Sequence, residues 1–318
     1  MTLNRPRLRS PWLWAILMLP CLGIGILPYI TWTAAGWVPR LQAFQPWMLL
    51  CVAVAVLLAS FKRRWLVSAV VLVLLAIGAV PNLAMTTGES LPSDATPELT
   101  VFSFNALKAG ADAGQLSRSI KIADPDVLVL VETSELLQQR LAFQGTLDNL
   151  PYRSAPVPSG GEVDTVIYSR YPARERSGSL GPDATNWYGL PIVDIASPRG
   201  PVTVVGVHIY PPLQDARQWQ GGLLALQQWV AEQEDEPMIL ARDFNSTRAH
   251  PQFRELASSM GLERSLFPIS TWPTGGGLPP MIGIDHVLAR GFVPLKQETA
   301  KIDGSDHLAL IVKLGVPH

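Results

Sequence analysis

Charged residues and cysteines are both scarce in this 318-residue sequence, and each shortage narrows the possible class of protein. Charged residues make up 16% of the chain, and its two cysteines are Cys21 and Cys51. Both cysteines fall in apolar runs, so the sequence offers neither a disulfide framework nor a cysteine-based zinc cluster. No internal repeat or low-complexity tract is visible in the sequence.

Basic residues are few in the second part of the chain. Seven of the 25 Lys/Arg and two of the 26 Asp/Glu lie in residues 1–97, which leaves residues 98–318 with 18 basic and 24 acidic residues, a net charge of −6. Unspecific nucleic-acid binding relies on Lys and Arg to neutralise phosphates. The composition therefore disfavours nucleic acid as a partner.

Three long stretches near the N-terminus contain no charged residue: 10–39, 41–61 and 65–88. A membrane-spanning helix needs about 20 apolar residues, and tryptophans lie near the ends of these stretches, as in an interfacial belt. The alternative is a cleaved signal peptide followed by a buried hairpin, but a signal peptide's apolar region runs only about 7–15 residues. We therefore predict a membrane anchor of three transmembrane helices within residues 1–81.

The positive charges predict the orientation of this anchor. Arg5, Arg7 and Arg9 precede the first stretch, and residues 62–64 (Lys-Arg-Arg) separate the second from the third. Positively charged loops stay in the cytoplasm, so three crossings would place everything after Pro81 on the extracytoplasmic side. Residues 82–98 are rich in turn formers and predict a linker with a span of about 20–24 Å.

Short β-rich runs alternate with helical patterns from Leu99 onward. Their near-continuous apolar composition indicates strands buried on both faces, hence a layered α/β domain. We predict strands at 99–105, 126–132, 163–169, 190–195, 202–209, 238–243, 284–289 and 308–314, and helices at 112–123, 134–144, 214–234 and 249–260.

Polar side chains stand at the ends of these predicted strands, beside loops, where a rigid scaffold can hold a hydrolytic site. They comprise oxygen and imidazole groups: Asn105, Glu132, His208, Asp243, Asn245, Asp285, Asp306 and His307. Taken singly, each has an ordinary explanation, because Asn and Asp favour turns and a lone histidine is often a core residue. The order of the whole set is more informative. Arg170 and Trp272 lie near these positions and could line a cleft.

Seven motifs in this order match one known arrangement: FSFN (102–105), DVLVLVE (126–132), IYSRYP (167–172), VGVH (205–208), DFNST (243–247), IDHVL (284–288) and GSDH (304–307). Over residues 99–314 the sequence resembles the endonuclease/exonuclease/phosphatase (DNase I-like) superfamily, and with its apolar front it resembles membrane-tethered bacterial members. The resemblance implies a four-layer α/β sandwich of two packed β-sheets flanked by helices, in a hydrolase domain at 99–318.

The resemblance also implies a divalent cation, Mg²⁺ or Mn²⁺. Asn105 and Glu132 would hold the principal ion, and Asp306 would serve as a ligand of the metal or of water. Hard, oxygen-preferring cations suit phosphate chemistry, because they neutralise developing charge and acidify bound water. Carboxylates converging on one rim would otherwise repel one another.

The catalytic roles carried over by the resemblance fall on five residues. Asp243 would orient and deprotonate the attacking water, and Asn245 would position that water and the phosphate. His208 would hydrogen-bond phosphoryl oxygens or protonate the leaving group. His307, steered by Asp285, would stabilise the phosphorane-like charge.

One residue departs from the family pattern. The family usually has Gly immediately before the DFN aspartate, where this chain has Arg242. Because successive side chains of a strand face opposite ways, we expect Arg242 to point away from the side used by Asp243.

The sequence therefore predicts a membrane-anchored, divalent-metal-dependent phosphoesterase at the outer face of the cytoplasmic membrane. Its expected substrate is presented by the bilayer, as a lipid-linked (pyro)phosphate or a phospholipid headgroup. The alternatives are a tethered extracellular nuclease and a non-catalytic membrane receptor or scaffold that retains the fold.

Overall fold

The structure of the protein is a computed structural model. The structure describes residues 11–83, 98–176, 180–181, 188–213, 215–233, 235–260, 269–275, 277 and 279–316, with the side chains of 11–13 left out. The predicted linker therefore lies outside the described residues, apart from its first two positions and its last.

Three apolar helices form the N-terminal part: α1 (Pro11–Ile26), α2 (Trp37–Phe61) and α3 (Trp65–Leu83). They pack on one another through a small core at Cys21, Val52, Ala55 and Val71, while large apolar side chains cover the outside of the bundle. α2 and α3 are long and apolar enough to cross a membrane; α1 is shorter. Two helices thus meet the length criterion, where we predicted three spans.

The first sheet of the second part has seven strands. They are β1 (Leu99–Asn105), β2 (Val127–Thr133), β3 (Tyr152–Arg153), β4 (Val157–Pro158), β5 (Asp164–Ser169), β11 (Val293–Ala300) and β12 (Ala309–Gly315). Their order is β11-β12-β1-β2-β5-β3, with β4 also paired to β5. β1 and β2 are parallel, and the other pairs are antiparallel.

The second sheet has five strands in the order β10-β9-β8-β7-β6. They are β6 (Ala173–Glu175), β7 (Ile192–Ser197), β8 (Gly200–His208), β9 (Met238–Asp243) and β10 (Asp285–Arg290). Here β8 and β9 form the parallel pair, and the other pairs are antiparallel. Each sheet therefore has one parallel pair near its centre.

Among the described residues, four helices cover the two sheets: α4 (Ala113–Ala123), α5 (Glu135–Phe143), α6 (Ala216–Glu232) and α7 (Pro251–Ser259). The side chains of Asp112, Ser134 and Asp215 cap the first three by accepting backbone N–H groups. Alternation along the strands sends one set of apolar side chains toward these helices and the other between the sheets. The layers run α4/α5, first sheet, second sheet, α6/α7, which confirms the predicted four-layer α/β sandwich.

The start of α2 and the loop before it contact the sandwich. Arg40 Nη2 donates to the carbonyl of Leu213 at 2.8 Å, and His250 Nε2 lies 2.9 Å from the carbonyl oxygen of Pro39. Further contacts join Gln252 to Thr31, Arg254 to Pro28 and Trp47 to Met281. The sandwich thus sits at the end of the bundle opposite the turn at 62–64.

Candidate active site

The site lies where both parallel strand pairs end. Parallel strands bring their carboxyl ends to the same edge, so β1, β2, β8 and β9 deliver Asn105, Glu132, His208 and Asp243 to one rim. The antiparallel strands β10 and β12 begin at this rim, which adds Asp285 and the Asp306–His307 pair. The structure brings all of these predicted residues together.

Asn105 joins two carboxylates at the floor of the site. Its Nδ2 donates to Glu132 Oε1 and to Asp243 Oδ2, each at 3.1 Å. Its Oδ1 accepts the backbone N–H of Leu107 at 2.9 Å, and the N–H of Lys108 donates to Glu132 Oε2 at 3.0 Å. Backbone and side-chain donors together fix the position of both carboxylates before any ligand binds.

His307 and Asp285 form the predicted pair. His307 Nδ1 lies 2.9 Å from Asp285 Oδ2, which leaves Nε2 to face the site. That nitrogen is 3.7 Å from Asp243 Oδ2 and 3.7 Å from Asp306 Oδ1. A carboxylate behind the imidazole fixes its tautomer and orientation, the arrangement that general acid–base catalysis requires.

Burial and neighbouring charges tune these groups differently. Burial, assisted by the charge of Asp285, raises the pKa of Asp243 to about 6. Burial alone would lower the pKa of His307, but the carboxylates of Asp285 and Asp243 outweigh it and raise that pKa above its usual range. Burial lowers the pKa of His208 to about 3. In this site Asp243 is therefore suited to accept a proton near neutral pH, His307 is cationic and His208 is neutral.

His208 and Asn245 flank this centre. His208 Nε2 lies 3.6 Å from Glu132 Oε1, and its ring stacks on Tyr188 with centroids 4.3 Å apart. The backbone N–H of Asn245 donates to Asp243 Oδ1 at 2.9 Å, while its side chain donates to the carbonyl of Ile209 at 2.8 Å. Asn245 adopts a φ of +46°, a left-handed conformation that asparagine tolerates. In this structure its side-chain amide is used to hold the loop.

The donor set fits a hard divalent cation. Within the described residues, Asp306 Oδ1 is buried with no hydrogen-bond partner, while Trp272 Nε1 donates to the other oxygen at 2.8 Å. Glu132 and Asp243 add two carboxylates, and both accept hydrogen bonds from the side-chain amide of Asn105. Oxygen-rich, acidic surroundings of this kind are what Mg²⁺ prefers.

Asp243, Asp285 and His307 also offer ligand atoms within 4.8 Å of one another. Asp285, however, already binds His307 on one side and Arg242 on the other. A cation placed there would face a buried guanidinium. The geometry therefore favours the Glu132 side of the site for the ion.

Arg242 does not point away from the chemistry, which corrects our expectation. Its side chain is fully buried, with Nη2 at 3.2 Å from Asp285 Oδ1 and the guanidinium over the ring of Phe104. The reason is its backbone: φ is +115°, outside the extended region, so strict alternation of side chains fails at this position. Arg242 together with His307 holds the pKa of Asp285 below its usual range, against the effect of burial.

The site opens into a cavity of about 740 Å³, part of whose lining the sequence did not indicate. Tyr188, Tyr210 and Lys108 line it, as do Pro39, Arg40, Ala43 and Phe44 of the α2 region. Trp272 lines it as anticipated, whereas Arg170 is paired with Asp124 and Asp126 instead. Only folding brings these distant segments together, and no local pattern marks them.

The chain belongs to the endonuclease/exonuclease/phosphatase family, whose model matches residues 102–307. This match contains the site residues described above, and members of the family hydrolyse phosphoesters. No curated protein matches the sequence at a significant level.

Solved structures share the fold. An endonuclease/exonuclease/phosphatase from Beutenbergia cavernae is 19% identical, with a TM-score of 0.50 over 70% of this chain and 72% of that one. A humanised D. rerio TDP2 is 17% identical, with a TM-score of 0.54 over 69% and 99%. D. rerio TDP2 complexed with a single-strand DNA product is also 17% identical, with a TM-score of 0.52 over 69% and 99%. At these identities the similarity establishes the architecture alone.

Proposed function

We propose that this protein is a membrane-anchored, divalent-cation-dependent phosphoesterase that acts outside the cytoplasm on a membrane-presented phosphate compound. One observation carries the hydrolytic part. Glu132, Asn105, Asp243 and the His307–Asp285 pair meet in contact at one rim, with a buried oxygen of Asp306 left without a hydrogen-bond partner among the described residues.

The site residues have different roles in the proposed hydrolysis. Asp243, with its raised pKa, accepts the proton of the attacking water, and the backbone N–H of Asn245 fixes its other oxygen. His307 Nε2 faces the phosphoryl group as a cation and stabilises the charge that develops there. His208, neutral at working pH, donates a hydrogen bond to a phosphoryl oxygen.

Glu132 and Asn105, with Asp306 as a further ligand, would hold Mg²⁺ or Mn²⁺. When bound, such an ion supplies charge neutralisation and a more acidic water. The four carboxylates of the site outnumber its two cations, Arg242 and His307, so a divalent cation would also relieve their mutual repulsion.

The proposed location of the catalytic domain follows from the topology of the membrane anchor. The proposed topology is multi-pass, with a cytoplasmic N-terminus, three spans in residues 1–81, a linker at 82–98 and the catalytic domain at 99–318. The side of the bundle that contacts the sandwich supports it, because the positively charged turn at 62–64 lies at the opposite end. A catalytic domain held there meets substrates such as a lipid-linked (pyro)phosphate or a phospholipid headgroup.

A tethered nuclease is the second candidate. The D. rerio TDP2 structure with a single-strand DNA product, which has the same fold, favours it. The net charge of −6 over residues 98–318 counts against it, because nucleic-acid grooves are basic.

A hydrolysis panel on the purified full-length protein tests the proposal; it measures inorganic phosphate from the pyrophosphate and the cleaved organic products from the phospholipid and the DNA. With Mg²⁺, we expect turnover of a prenyl pyrophosphate or a phospholipid, abolition by a chelator, and little turnover of single-stranded DNA. Glu132→Gln keeps the shape of the side chain but removes its charge, and it should abolish activity with the fold intact. Glu135→Gln, an exposed position paired with Arg153, is the matched control. Turnover by Glu132→Gln with unchanged Mg²⁺ dependence would exclude Glu132 as the ligand, and preferential DNA cleavage would favour the nuclease.

A further inference from the structure

One wall of the catalytic cavity belongs to the membrane anchor. Pro39, Arg40, Ala43 and Phe44 line it on the anchor side, and Leu213 and Ile282 line it on the domain side. Glu132, Asp243 and His307 line the same cavity. At about 740 Å³ its volume is within the range of sites that enclose a drug-sized ligand, well beyond a phosphate alone.

The helical period explains why these anchor residues face the site. Residues three or four apart share one face of a helix, so Arg40, Ala43, Phe44 and Trp47 fall together. Gln42 and Gln45 occupy the opposite face, where their side chains hydrogen-bond Leu27 and Gly78 carbonyls inside the bundle. One face of α2 is thus committed to bundle packing and the other to the catalytic domain.

An apolar stripe continues from the cavity along α2. Beyond Phe44 it comprises Trp47, Leu50, Val54, Leu57 and Phe61, each between 44% and 80% exposed. Their spacing of three or four residues keeps them on one face, and at 1.5 Å per residue the stripe from Phe44 to Phe61 is about 25 Å long. It therefore joins the catalytic cavity to the lipid-facing surface of the helix.

The cavity also contains a cation next to this stripe. Arg40 lines the cavity, and its Nη2 donates to the carbonyl of Leu213. A guanidinium carries five N–H donors, so this bond leaves others for an oxyanion. Lys108 adds a second positive charge at the cavity wall.

We propose that this cavity and the stripe on α2 form a binding site for a phosphate ester or pyrophosphate that carries a long apolar chain. The phosphate lies between Arg40 and the Glu132–Asp243 centre, and the chain leaves past Ala43 and Phe44 into the bilayer. This inference rests on the proposed function and adds that the anchor itself binds the substrate.

Kinetics on full-length protein in mixed micelles test the site. Phe44→Ala should raise KM at least tenfold for farnesyl pyrophosphate or a phosphatidyl lipid, because each buried methylene contributes about fourfold to binding. For bis(p-nitrophenyl) phosphate, which has no chain, the same variant should raise KM by a much smaller factor. Phe44→Leu should recover most of the loss, and Leu41→Ala, an exposed position of α2 outside the cavity, is the matched control. Equal effects on all substrates, or none, would overturn the site.

A binding measurement separates this inference from the reaction itself. Full-length Glu132→Gln protein is irradiated with a benzophenone-bearing farnesyl pyrophosphate and digested. The proposed site is supported if the peptide containing residues 39–47 is labelled and if unlabelled farnesyl pyrophosphate or a phosphatidyl lipid prevents the labelling. The compound that prevents labelling at the lower concentration is the one the site binds more tightly. Labelling elsewhere overturns it. If the proposed function fails instead, wild type hydrolyses none of the substrates and behaves like Glu132→Gln.

Discussion

Asp285 has two charged neighbours, and this predicts that its replacement damages stability and catalysis for separate reasons. Asp285→Asn would leave the buried Arg242 guanidinium without its carboxylate. Removing one partner of a buried ion pair costs about 3–5 kcal/mol. For a domain of this size, about 2–4 °C per kcal/mol, the midpoint of thermal unfolding should fall by roughly 6–20 °C.

The same substitution removes the charge that supports a cationic His307. An Asn at this position would turn its carbonyl toward Arg242 and its NH₂ group toward His307, which favours the neutral imidazole. Losing electrostatic stabilisation of this kind costs about 10²–10³-fold in kcat.

The double variant Arg242→Gly/Asp285→Asn separates the two effects. It removes both charges, and glycine accepts the φ of +115° that strains arginine, so the stability lost to the unpaired charge should return, less the cost of the cavity that the buried side chain leaves. The kcat should stay low, because the carboxylate is still missing. Arg242→Gly alone, which keeps the Asp285–His307 pair, should change kcat only a few-fold.

Thermal unfolding and phosphate release on the four proteins provide the assay. Wild-type stability in Asp285→Asn would contradict the buried ion pair. A double variant with kcat within tenfold of wild type would mean that Asp285 serves only to neutralise Arg242, and the orienting role would be wrong.

Three further predictions follow from the same geometry. Asp285→Asn/His307→Ala should be little slower than His307→Ala alone, because residues that act as a unit are non-additive; additive losses in kcat would refute the pair. A reporter fused after His318 should be active only in its extracytoplasmic form, and a galactosidase fusion active in the cytoplasm would contradict the three-span topology. Through His250 and His286, stability should decrease between pH 6.5 and 4, because burial lowers the pKa of each to about 4 and the unfolded chain therefore binds more protons in that window. The lowered pKa of His208 adds to this decrease, and the raised pKa values of Asp243 and His307 oppose part of it. The expected slope in unfolding free energy is about 1.4 kcal/mol per pH unit per histidine, and an unfolding midpoint that does not change from pH 7 to 5 would contradict it.

The layered fold could be predicted because its strands are strongly apolar. β1 and β9 begin and end at the predicted residues, and α4, α5, α6 and α7 lie within the predicted helical ranges. The strand β11 was missed. It occupies the edge of the first sheet, where half-exposed residues such as Lys296 and Glu298 leave no apolar run.

The site could be predicted only in part. Strand ends identified Glu132 and Asp243, because β2 and β9 end at or next to these residues. The contact of Arg242 with Asp285 could not be predicted, since it depends on a positive φ at a non-glycine residue. The wall formed by Phe44 depends on how α2 docks, which no local pattern encodes.

Four contacts of the site cross from one sheet to the other: Asn105 to Asp243, His307 to Asp285, His307 to Asp243, and His208 to Glu132. Asn105, Glu132 and His307 belong to the first sheet's edge, and Asp243, Asp285 and His208 belong to the second. The distance between the catalytic halves is therefore set by the apolar layer that separates the sheets, including Val129, Val204 and Ile239. A small change in the thickness of that layer would change the distances between the catalytic residues of the two sheets. Conservative substitutions inside the layer should therefore lower kcat, and kcat can evolve in this domain through residues that do not contact the phosphate.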